Sequence, residues 1–139
     1  KYLEGLKEYG EDFESIISKK STEPFWLIDI PLEKREFYDR LSSDDKTLLD
    51  MDLILPYGYG EALSGGEREF EYETIIKRMK QRGNNPEDLP IYSDFAKEGK
   101  LPKCAGCGFG VERLTRYICG LDHVSKTRLF PKIPGKACI

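Results

Sequence analysis

The sequence has little net charge, and its small excess is negative. The 139 residues carry a formal net charge of -3 at pH 7, with a pI near 5.3. Nonspecific binding to nucleic acid requires a basic surface, so here it would have to come from a local patch. The best candidate is the short basic run at residues 77–82, which a solvated helix face explains without a function.

Long apolar runs are also missing. No stretch approaches the roughly 20 consecutive apolar residues that a membrane-spanning helix needs, and the chain does not open with a signal peptide. We therefore expect a cytoplasmic protein with no membrane partner. The chain begins at Lys1 without a methionine, as expected of a truncated form or a gene fragment of a longer protein.

Metal-binding side chains are scarce, with four cysteines and one histidine. Cys104 and Cys107 have the two-residue gap of a zinc knuckle, but Cys119, Cys138 and His123 are isolated, which disfavours a zinc site. Cys107 lies among glycines and Cys119 on the apolar side of a predicted helix. Buried free thiols are therefore the favoured interpretation of these two residues.

The order of the predicted elements favours an α+β fold in a chain with the length of one domain. Residues 1–20 predict a helix broken at Gly10, and residues 35–40 a short edge strand. Further strands are predicted at 25–30, 51–56, 61–64 and 127–130. Further helices are predicted at 67–82, about 86–98 and 111–119. The short glycine turn at 57–60 favours an antiparallel hairpin over a parallel sheet.

The stretch from residue 105 to residue 114 is the most informative part of the sequence. Its glycines alternate: Gly106, Gly108 and Gly110. An extended strand there has one face without side chains, on which a flat ligand can lie against the backbone. Apolar residues at helical spacing then predict a helix whose first turn presents Arg113. A bulge or a tight strand crossing would need the same glycines, so the spacing alone leaves both explanations open.

Two acidic residues stand on adjacent predicted strands. Asp52 lies in an apolar run, where a charged side chain is costly unless it is paired or binds a metal. The turn at 57–60 can fold Glu61 back beside it, and these two carboxylates with Arg113 suit Mg²⁺ and phosphate oxygens. We expect the two carboxyl groups within about 7 Å of each other, facing the glycine strand. In the alternative, Asp52 caps a turn and Glu61 pairs with a nearby Lys or Arg.

Arg68 is predicted to lie in the first turn of the helix at 67–82. A cation there opposes the helix dipole, which indicates that it serves something in front of the helix. Its guanidinium can take a carboxylate or an amide oxygen.

Two blocks of the sequence resemble class II aminoacyl-tRNA synthetases of the aspartyl/asparaginyl subgroup. The run Gly108-Phe-Gly-Val-Glu-Arg-Leu, continued by Gly120-Leu-Asp-His-Val and Leu129-Phe-Pro-Lys, resembles motif 3 of that family. Residues 52–69 resemble the stretch in which an aspartate and a glutamate hold Mg²⁺ and ATP. The resemblance covers roughly residues 24–135. It implies an antiparallel synthetase sheet flanked by helices, with residues 1–139 as the C-terminal portion of one catalytic domain and motif 3 at 105–120.

The resemblance also implies roles for individual residues. Arg113 would meet the triphosphate and adenine of ATP, and Arg68 would read the side chain of bound aspartate or asparagine, which makes these two the catalytic candidates. Asp52 and Glu61 would hold Mg²⁺, with Ser64 near the metal and the amino acid. The other residues implied at the ATP site are Gly106, Gly108, Gly110, Glu112 and Glu61.

The chain departs from the family pattern in places, which leaves its amino-acid selectivity open. Lys103-Cys-Ala-Gly stands where these synthetases usually carry Pro-His-Gly-Gly, and Glu67-Arg-Glu where Gln-Arg-Glu is common. The distance from Asp52 to Glu61 is similar to that of the asparaginyl branch. Phe37-Tyr-Asp together with residues 60–69 looks more like the archaeal asparagine synthetase related to asparaginyl-tRNA synthetase, which amidates activated aspartate with ammonia.

The resemblance thus implies a ligase that activates aspartate or asparagine with ATP and Mg²⁺. The acceptor would be tRNA in a tRNA ligase and ammonia in the asparagine synthetase, and the intact protein is expected to be a homodimer. Motif 1, through which the family dimerises, and motif 2, with its ATP-binding arginine, do not occur in this sequence. The alternative is therefore a noncatalytic fragment or a module that binds a nucleotide or a partner.

Overall fold

A computed structural model describes residues 1–135, which form helices on a four-stranded antiparallel sheet. The helices are α1 (Tyr2–Tyr9), α2 (Phe13–Lys20), α3 (Tyr72–Gln81), α4 (Pro90–Lys97) and α5 (Val111–Ile118). The strands are β1 (Phe25–Pro31), β2 (Thr47–Leu55), β3 (Gly60–Glu67) and β4 (Ala105–Phe109). They are hydrogen-bonded in the order β1-β2-β3-β4. The predictions of an α+β fold and of an antiparallel sheet flanked by helices are confirmed.

Several predicted local features are present. Helices α1 and α2 are separated at Gly10, whose φ of 75° is in the left-handed region that favours glycine. The side chain of Asn85 accepts a hydrogen bond from the backbone N of Glu87, as expected of a cap, but it opens a short 3₁₀ turn, Pro86–Asp88. The α-helix itself begins at Pro90.

The predicted start of the helix at 67–82 is wrong, and with it the placement of Arg68 in a first helical turn. Strand β3 continues through the two glycines at 65–66 as far as Glu67, and α3 begins at Tyr72. The backbone of Arg68 donates a hydrogen bond to the carbonyl of Cys104 at 2.8 Å and forms a β-bridge with Asp39. These pairings hold the segment extended, so the dipole argument for Arg68 does not apply.

Two predicted short strands are also wrong. Residues 35–40 form no strand: Asp39 makes only an isolated β-bridge, with Arg68, and the carbonyls of Glu36 and Asp39 accept hydrogen bonds from Arg78. Residues 127–130 form none either: a 3₁₀ turn, Val124–Thr127, lies there, and Leu129 and Phe130 are exposed.

The chain divides into two compact units, the first of which comprises Lys1–Glu4, Leu27–Met51 and Gly65–Cys107. Its core is built from α3, α4 and the segment before β2. The buried residues of this cluster are Phe37, Ile75, Met79 and Ala96. Burying an Ile or Met side chain stabilises a fold by about 1.5–3 kcal/mol, so this cluster holds α3, and with it Arg78, in a fixed position.

The second unit comprises Gly5–Trp26, Asp52–Ser64 and the chain from Gly108 onward. Ser18 on α2 is fully buried; its hydroxyl donates to the carbonyl of Leu55 at 2.6 Å and accepts from the backbone N of Gly60 at 3.1 Å. These two bonds join α2 to the end of β2 and the start of β3. Ser18 therefore fixes the hairpin that carries Glu61.

The prediction of buried thiols is wrong for Cys107 and Cys119, because both are free and exposed, as is Cys104. Strand β4 is largely exposed, and the apolar residues of α5 at 111 and 118 are exposed as well. Cys138 lies outside the described residues. Within residues 1–135 no helix is both long and apolar enough to cross a membrane.

Candidate functional site

Arg113 lies in the first turn of α5, directly after the glycine strand. Its Nη1 donates to the backbone carbonyl of Glu61 at 2.8 Å and lies 3.3 Å from the Oε1 of the same residue. The backbone N of Gly110 donates to the carbonyl of Ala62 at 2.8 Å, which ties the end of β4 to β3 and brings these side chains together. The structure therefore unites two of the predicted site residues, Glu61 and Arg113.

The alternative interpretation, without a metal site, also predicted that Glu61 would pair with a nearby Lys or Arg. Both partners belong to the predicted ATP site, so the ion pair does not decide between the two interpretations. The Arg113 side chain is 53% exposed, and a half-exposed guanidinium held by one carboxylate is available to a ligand of greater negative charge.

A cavity of about 600 Å³ lies beside this pair in the second unit. Residues on its wall include Ser18, Tyr59, Glu61, Arg113 and Arg116. The volume is in the range of small-molecule pockets, and the wall combines cations, acids and an aromatic ring. These groups match a ligand with both charged and flat parts.

Arg116 is a member of this wall that sequence reasoning missed. Its guanidinium lies over the ring of Tyr59 at 4.7 Å, and its Nε donates to the carbonyl of Leu121 at 3.2 Å. The spacing from Arg113 was a usable signal, because residues three apart share one face of a helix.

The alternating glycines serve different purposes. A Cβ on Gly108 would have no atom within 4 Å, so this part of the strand is open, as the flat-ligand interpretation expects. A Cβ on Gly106 would lie 3.3 Å from the Nη2 of Arg68, so this glycine makes room for a guanidinium. A Cβ on Gly65 would overlap the carbonyl of Gly106. The close approach of neighbouring groups therefore accounts for Gly65 and Gly106, whereas a flat ligand at Gly108 stays a prediction.

Arg68, in the first unit, is held by three groups. Its Nη1 donates to the carboxylate of Asp39 in a close ion pair, and its Nη2 donates to the carbonyl of Gly106 at 3.2 Å. Its guanidinium carbon lies 5.0 Å from the centre of the Tyr38 ring. The side chain is 30% exposed, so the guanidinium is positioned but still accessible.

Asp39 was not predicted as a site residue. It is buried, and burial is the largest influence on its carboxyl, raising the pKa of Asp39 above its usual value although Arg68 and Arg78 act in the opposite direction. Arg78, itself buried on α3, donates to the carbonyls of Asp39 and Glu36. The burial and pairing of Asp39 depend on tertiary contacts, which its position in the sequence did not indicate.

The other predicted site residues, Asp52, Ser64 and Glu112, differ in burial and in their partners. Asp52 is buried on β2, and Ser64 is half-buried on β3. Glu112 pairs closely with Arg128, whose hydrogen bond lowers the pKa of the Glu112 carboxyl. The convergence of Asp52 and Glu61 stays a prediction, as does a contact of Glu112 with ATP.

The carboxylates of Asp52 and Glu61 have the chemistry of Mg²⁺ ligands. Within residues 1–135 no group of three or more His, Cys, Asp or Glu side chains is arranged to hold a metal. Mg²⁺ is usually bound through one or two carboxylates, with phosphate oxygens and waters completing its shell. Asp52 and Glu61 are oxygen donors of this kind.

The sequence matches the family model for tRNA synthetases class II (D, K and N) over residues 2–134. The chain belongs to this family. Among curated relatives, the asparagine--tRNA ligase of Pyrococcus abyssi is 35% identical over 135 residues, which cover 96% of this chain and 31% of the relative. The chain therefore spans about a third of the length of such a relative.

Solved structures of class II tRNA synthetases share the fold. The crystal structure of asparaginyl-tRNA synthetase from Pyrococcus horikoshii aligns with a TM-score of 0.86 at 28% identity, covering 99% of this chain and 35% of that chain. The structure of the same enzyme complexed with asparaginyl-adenylate aligns with a TM-score of 0.85, again at 28% identity, and covers 99% of this chain and 34% of that one. The resemblance stated from the sequence is confirmed at the level of family and fold.

Proposed function

We propose that the protein containing this chain activates asparagine or aspartate with ATP and Mg²⁺, forming an aminoacyl-adenylate, and that tRNA is the acceptor. The observation that carries this proposal is the fixed placement of Arg113 at the end of an open glycine strand, beside Glu61 and a cavity of ligand size. The likeness to a synthetase complexed with asparaginyl-adenylate supports it.

Adenylate formation needs positioning and charge neutralisation rather than a protein nucleophile. The α-carboxylate of the amino acid attacks the α-phosphate of ATP, a P–O bond forms, and pyrophosphate leaves. Arg113 would bind the phosphates and compensate the charge that develops on them. Asp52 and Glu61 would hold Mg²⁺, which neutralises phosphate oxygens when it is bound.

Arg68 would bind the side chain of the amino acid. Its guanidinium has donors that neither Asp39 nor Gly106 uses, and these can bond an amide or a carboxylate oxygen. The Gly106 carbonyl and the Tyr38 ring contact the guanidinium and help to position it. Recognition of a single side chain requires such a fixed donor, since a mobile one would lose conformational entropy on binding.

Ammonia is the second candidate acceptor, with free asparagine as the product. The segment Phe37-Tyr-Asp favours it, because this is where the sequence looks more like the archaeal asparagine synthetase. In that reaction the β-carboxylate of aspartate is activated and ammonia displaces AMP. Formation of free asparagine from aspartate, ATP and ammonia, without tRNA, distinguishes it from the tRNA ligase.

We further infer that the intact protein is a cytoplasmic homodimer, as the family assignment implies. Its mass in solution, measured by sedimentation equilibrium, tests the dimer. A monomeric mass for the active protein would contradict it.

The proposed activity is tested by ATP–pyrophosphate exchange with the intact protein and each of the twenty amino acids. Exchange is expected with asparagine or aspartate and should require Mg²⁺. Exchange with neither of them contradicts the proposal. Mg²⁺-dependent ATP binding without any exchange would identify the noncatalytic, nucleotide-binding alternative.

A further inference from the structure

The turn that precedes Glu61 has an unfavourable backbone conformation. Residues 57–60 connect β2 to β3, and three of the four have φ in the left-handed region: Tyr57 at 56°, Gly58 at 80° and Gly60 at 76°. Glycine adopts this conformation easily, whereas a residue as bulky as tyrosine does so only where surrounding contacts hold it. Because Glu61 follows directly, its position depends on the contacts that hold this turn.

The end of α2 holds the backbone of the turn. The backbone N of Tyr57 donates to the carbonyl of Ser21 at 3.2 Å, and that of Gly58 donates to the carbonyl of Ser18 at 3.1 Å. The backbone N of Gly60 donates to the Ser18 hydroxyl at 3.1 Å. These bonds fix the main chain of three residues, whereas the side chain of Tyr59 makes its contacts with α5.

Two residues of α5 contact the ring of Tyr59. The guanidinium carbon of Arg116 lies 4.7 Å from the ring centre, and the ring of Tyr117 meets it edge-on with the two centres 5.2 Å apart. The Nη1 of Arg116 also donates a long hydrogen bond, 3.5 Å, to the carbonyl of Tyr59. Arg116 therefore joins the turn to α5 through both the side chain and the main chain of one residue.

The end of α5 orients Arg116 towards the turn. The helix ends at Ile118, and Gly120, with φ of 63°, reverses the chain, so that the backbone N of Leu121 donates to the carbonyl of Arg116 at 2.9 Å. The carbonyl of Leu121 in turn accepts from the Nε of Arg116 at 3.2 Å. The guanidinium is thus held at its base by its own helix and at its face by Tyr59.

The same helix carries Arg113, the residue proposed to bind the ATP phosphates. Arg113 and Arg116 are three positions apart, so they share one face of α5. Arg113 donates to the carbonyl of Glu61 at 2.8 Å, while Arg116 contacts Tyr59 two positions earlier. A shift of the turn relative to α5 would therefore change the distance between Arg113 and the Glu61 carboxylate.

We propose that Arg116 is a positioning residue: by holding the ring of Tyr59 against α5, it keeps the carboxylate of Glu61 in place for Mg²⁺ and the ATP phosphates. In this role Arg116 acts through Tyr59 and does not contact ATP. The inference rests on the proposed function, which gives Glu61 and Arg113 their ligands.

The test compares Arg116→Met with the wild type in the intact protein. Methionine keeps an unbranched side chain with a similar helix propensity and removes the cation. A cation–π contact changes an equilibrium constant by about three- to thirtyfold, so the Mg²⁺ concentration for half-maximal ATP binding should rise by a factor in that range. Equilibrium titration measures this. Hydrogen exchange measured by mass spectrometry should be faster at residues 57–61 in the variant.

A second substitution tests whether Arg116 acts through Tyr59. Tyr59→Leu removes the ring and should also raise the Mg²⁺ concentration. The variant with both substitutions should be no worse than the more affected single variant, because each removes the same contact. A residue that only stabilises the fold would lower the unfolding midpoint and leave the Mg²⁺ concentration of the folded protein unchanged.

Two further variants serve as controls. Arg116→Lys keeps a cation for the Tyr59 ring and should recover part of the loss. Lys126→Met removes a cation from an exposed ion pair with Asp122 in the same unit, and it should change neither the Mg²⁺ concentration nor the hydrogen exchange at 57–61.

The outcomes separate this inference from the proposed function. An unchanged Mg²⁺ concentration in folded Arg116→Met overturns the inference, and so do fully additive effects in the double variant. If Arg116→Met does not fold, an unchanged Mg²⁺ concentration in Tyr59→Leu overturns it. A wild type that binds ATP with Mg²⁺ but exchanges with no amino acid contradicts the proposed function alone, because the titration still tests Arg116. A wild type that does not bind ATP overturns both.

Discussion

Arg113 and Glu61, which lie 3.3 Å apart, are the pair on which the proposed ATP site depends. Both were predicted from the sequence, because each lies in a block that resembles the family: Arg113 in motif 3 and Glu61 in the stretch at 52–69. Asp39 and Arg116 were not identified. The role of Asp39 depends on Arg68 and Arg78, which are 29 and 39 positions away along the chain. No local pattern reports such a contact.

Replacing Arg113 should weaken ATP binding and leave folding intact. A charge-assisted hydrogen bond contributes about 1.5–3 kcal/mol, so Arg113→Ala should raise the Kd of MgATP by roughly ten- to a hundredfold. Equilibrium titration with MgATP measures this. Because the side chain is half exposed, the unfolding midpoint should change little. Arg82→Ala is the matched control and should leave the Kd of MgATP unchanged. An unchanged Kd in Arg113→Ala would indicate that the glycine strand has only a structural role.

Asp52 and Glu61 should share one Mg²⁺. Asp52→Asn and Glu61→Gln each remove one oxygen charge while keeping the side chain's shape, so each should raise the Mg²⁺ concentration for half-maximal pyrophosphate exchange about tenfold or more. The same change at an exposed position on α3, Glu73→Gln, should have no effect. A Mg²⁺ requirement that does not move in either variant contradicts the shared site, as would a structure with the two carboxyl groups on opposite faces of the sheet.

At the scale of elements, periodicity predicted most helices and strands but not all of their ends. The two glycines at 65–66 suggested the end of a strand, yet β3 passes through them. Gly65 is needed because the backbone of β4 comes too close for a side chain, and Gly66 because the Asp50 carboxylate occupies the space of its Cβ. Both reasons are tertiary contacts. The predictions of strands at 35–40 and 127–130 were wrong for a similar reason. A strand needs a neighbouring strand to pair with, and the local sequence pattern does not show whether one is present.

The hairpin between β2 and β3 should depend on Ser18. Ser18→Ala removes two hydrogen bonds and leaves the carbonyl of Leu55 and the backbone N of Gly60 without this partner in a buried place. Loss of a buried hydrogen-bond partner costs about 1–3 kcal/mol, so the free energy of unfolding should fall by that amount. Denaturant titration measures it.

The control for this variant lies on the same helix. Ser15 is exposed on α2, so Ser15→Ala should leave the free energy of unfolding within about 0.5 kcal/mol of the wild type. Equal effects of the two substitutions would show that Ser18 does not hold the hairpin.

At the scale of the whole molecule, the chain matches only about a third of the length of its relatives. The residues that we propose to bind the ATP phosphates and the amino-acid side chain lie in this part, whereas the complete reaction is proposed for the intact protein. Activity assays therefore use the intact protein, whereas ligand binding can also be measured on the 139-residue chain. Binding by this chain would show that it retains the geometry of the site on its own.

Formation of the aminoacyl-adenylate is tested most directly by detecting it. The intact protein is incubated separately with asparagine and with aspartate, each with ATP, Mg²⁺ and pyrophosphatase, quenched in acid, and examined by mass spectrometry for the corresponding aminoacyl-adenylate. We expect about one adenylate per active site, none without Mg²⁺, and a large loss in Arg113→Ala. ATP bound or hydrolysed with no adenylate of asparagine or aspartate would contradict the proposed function.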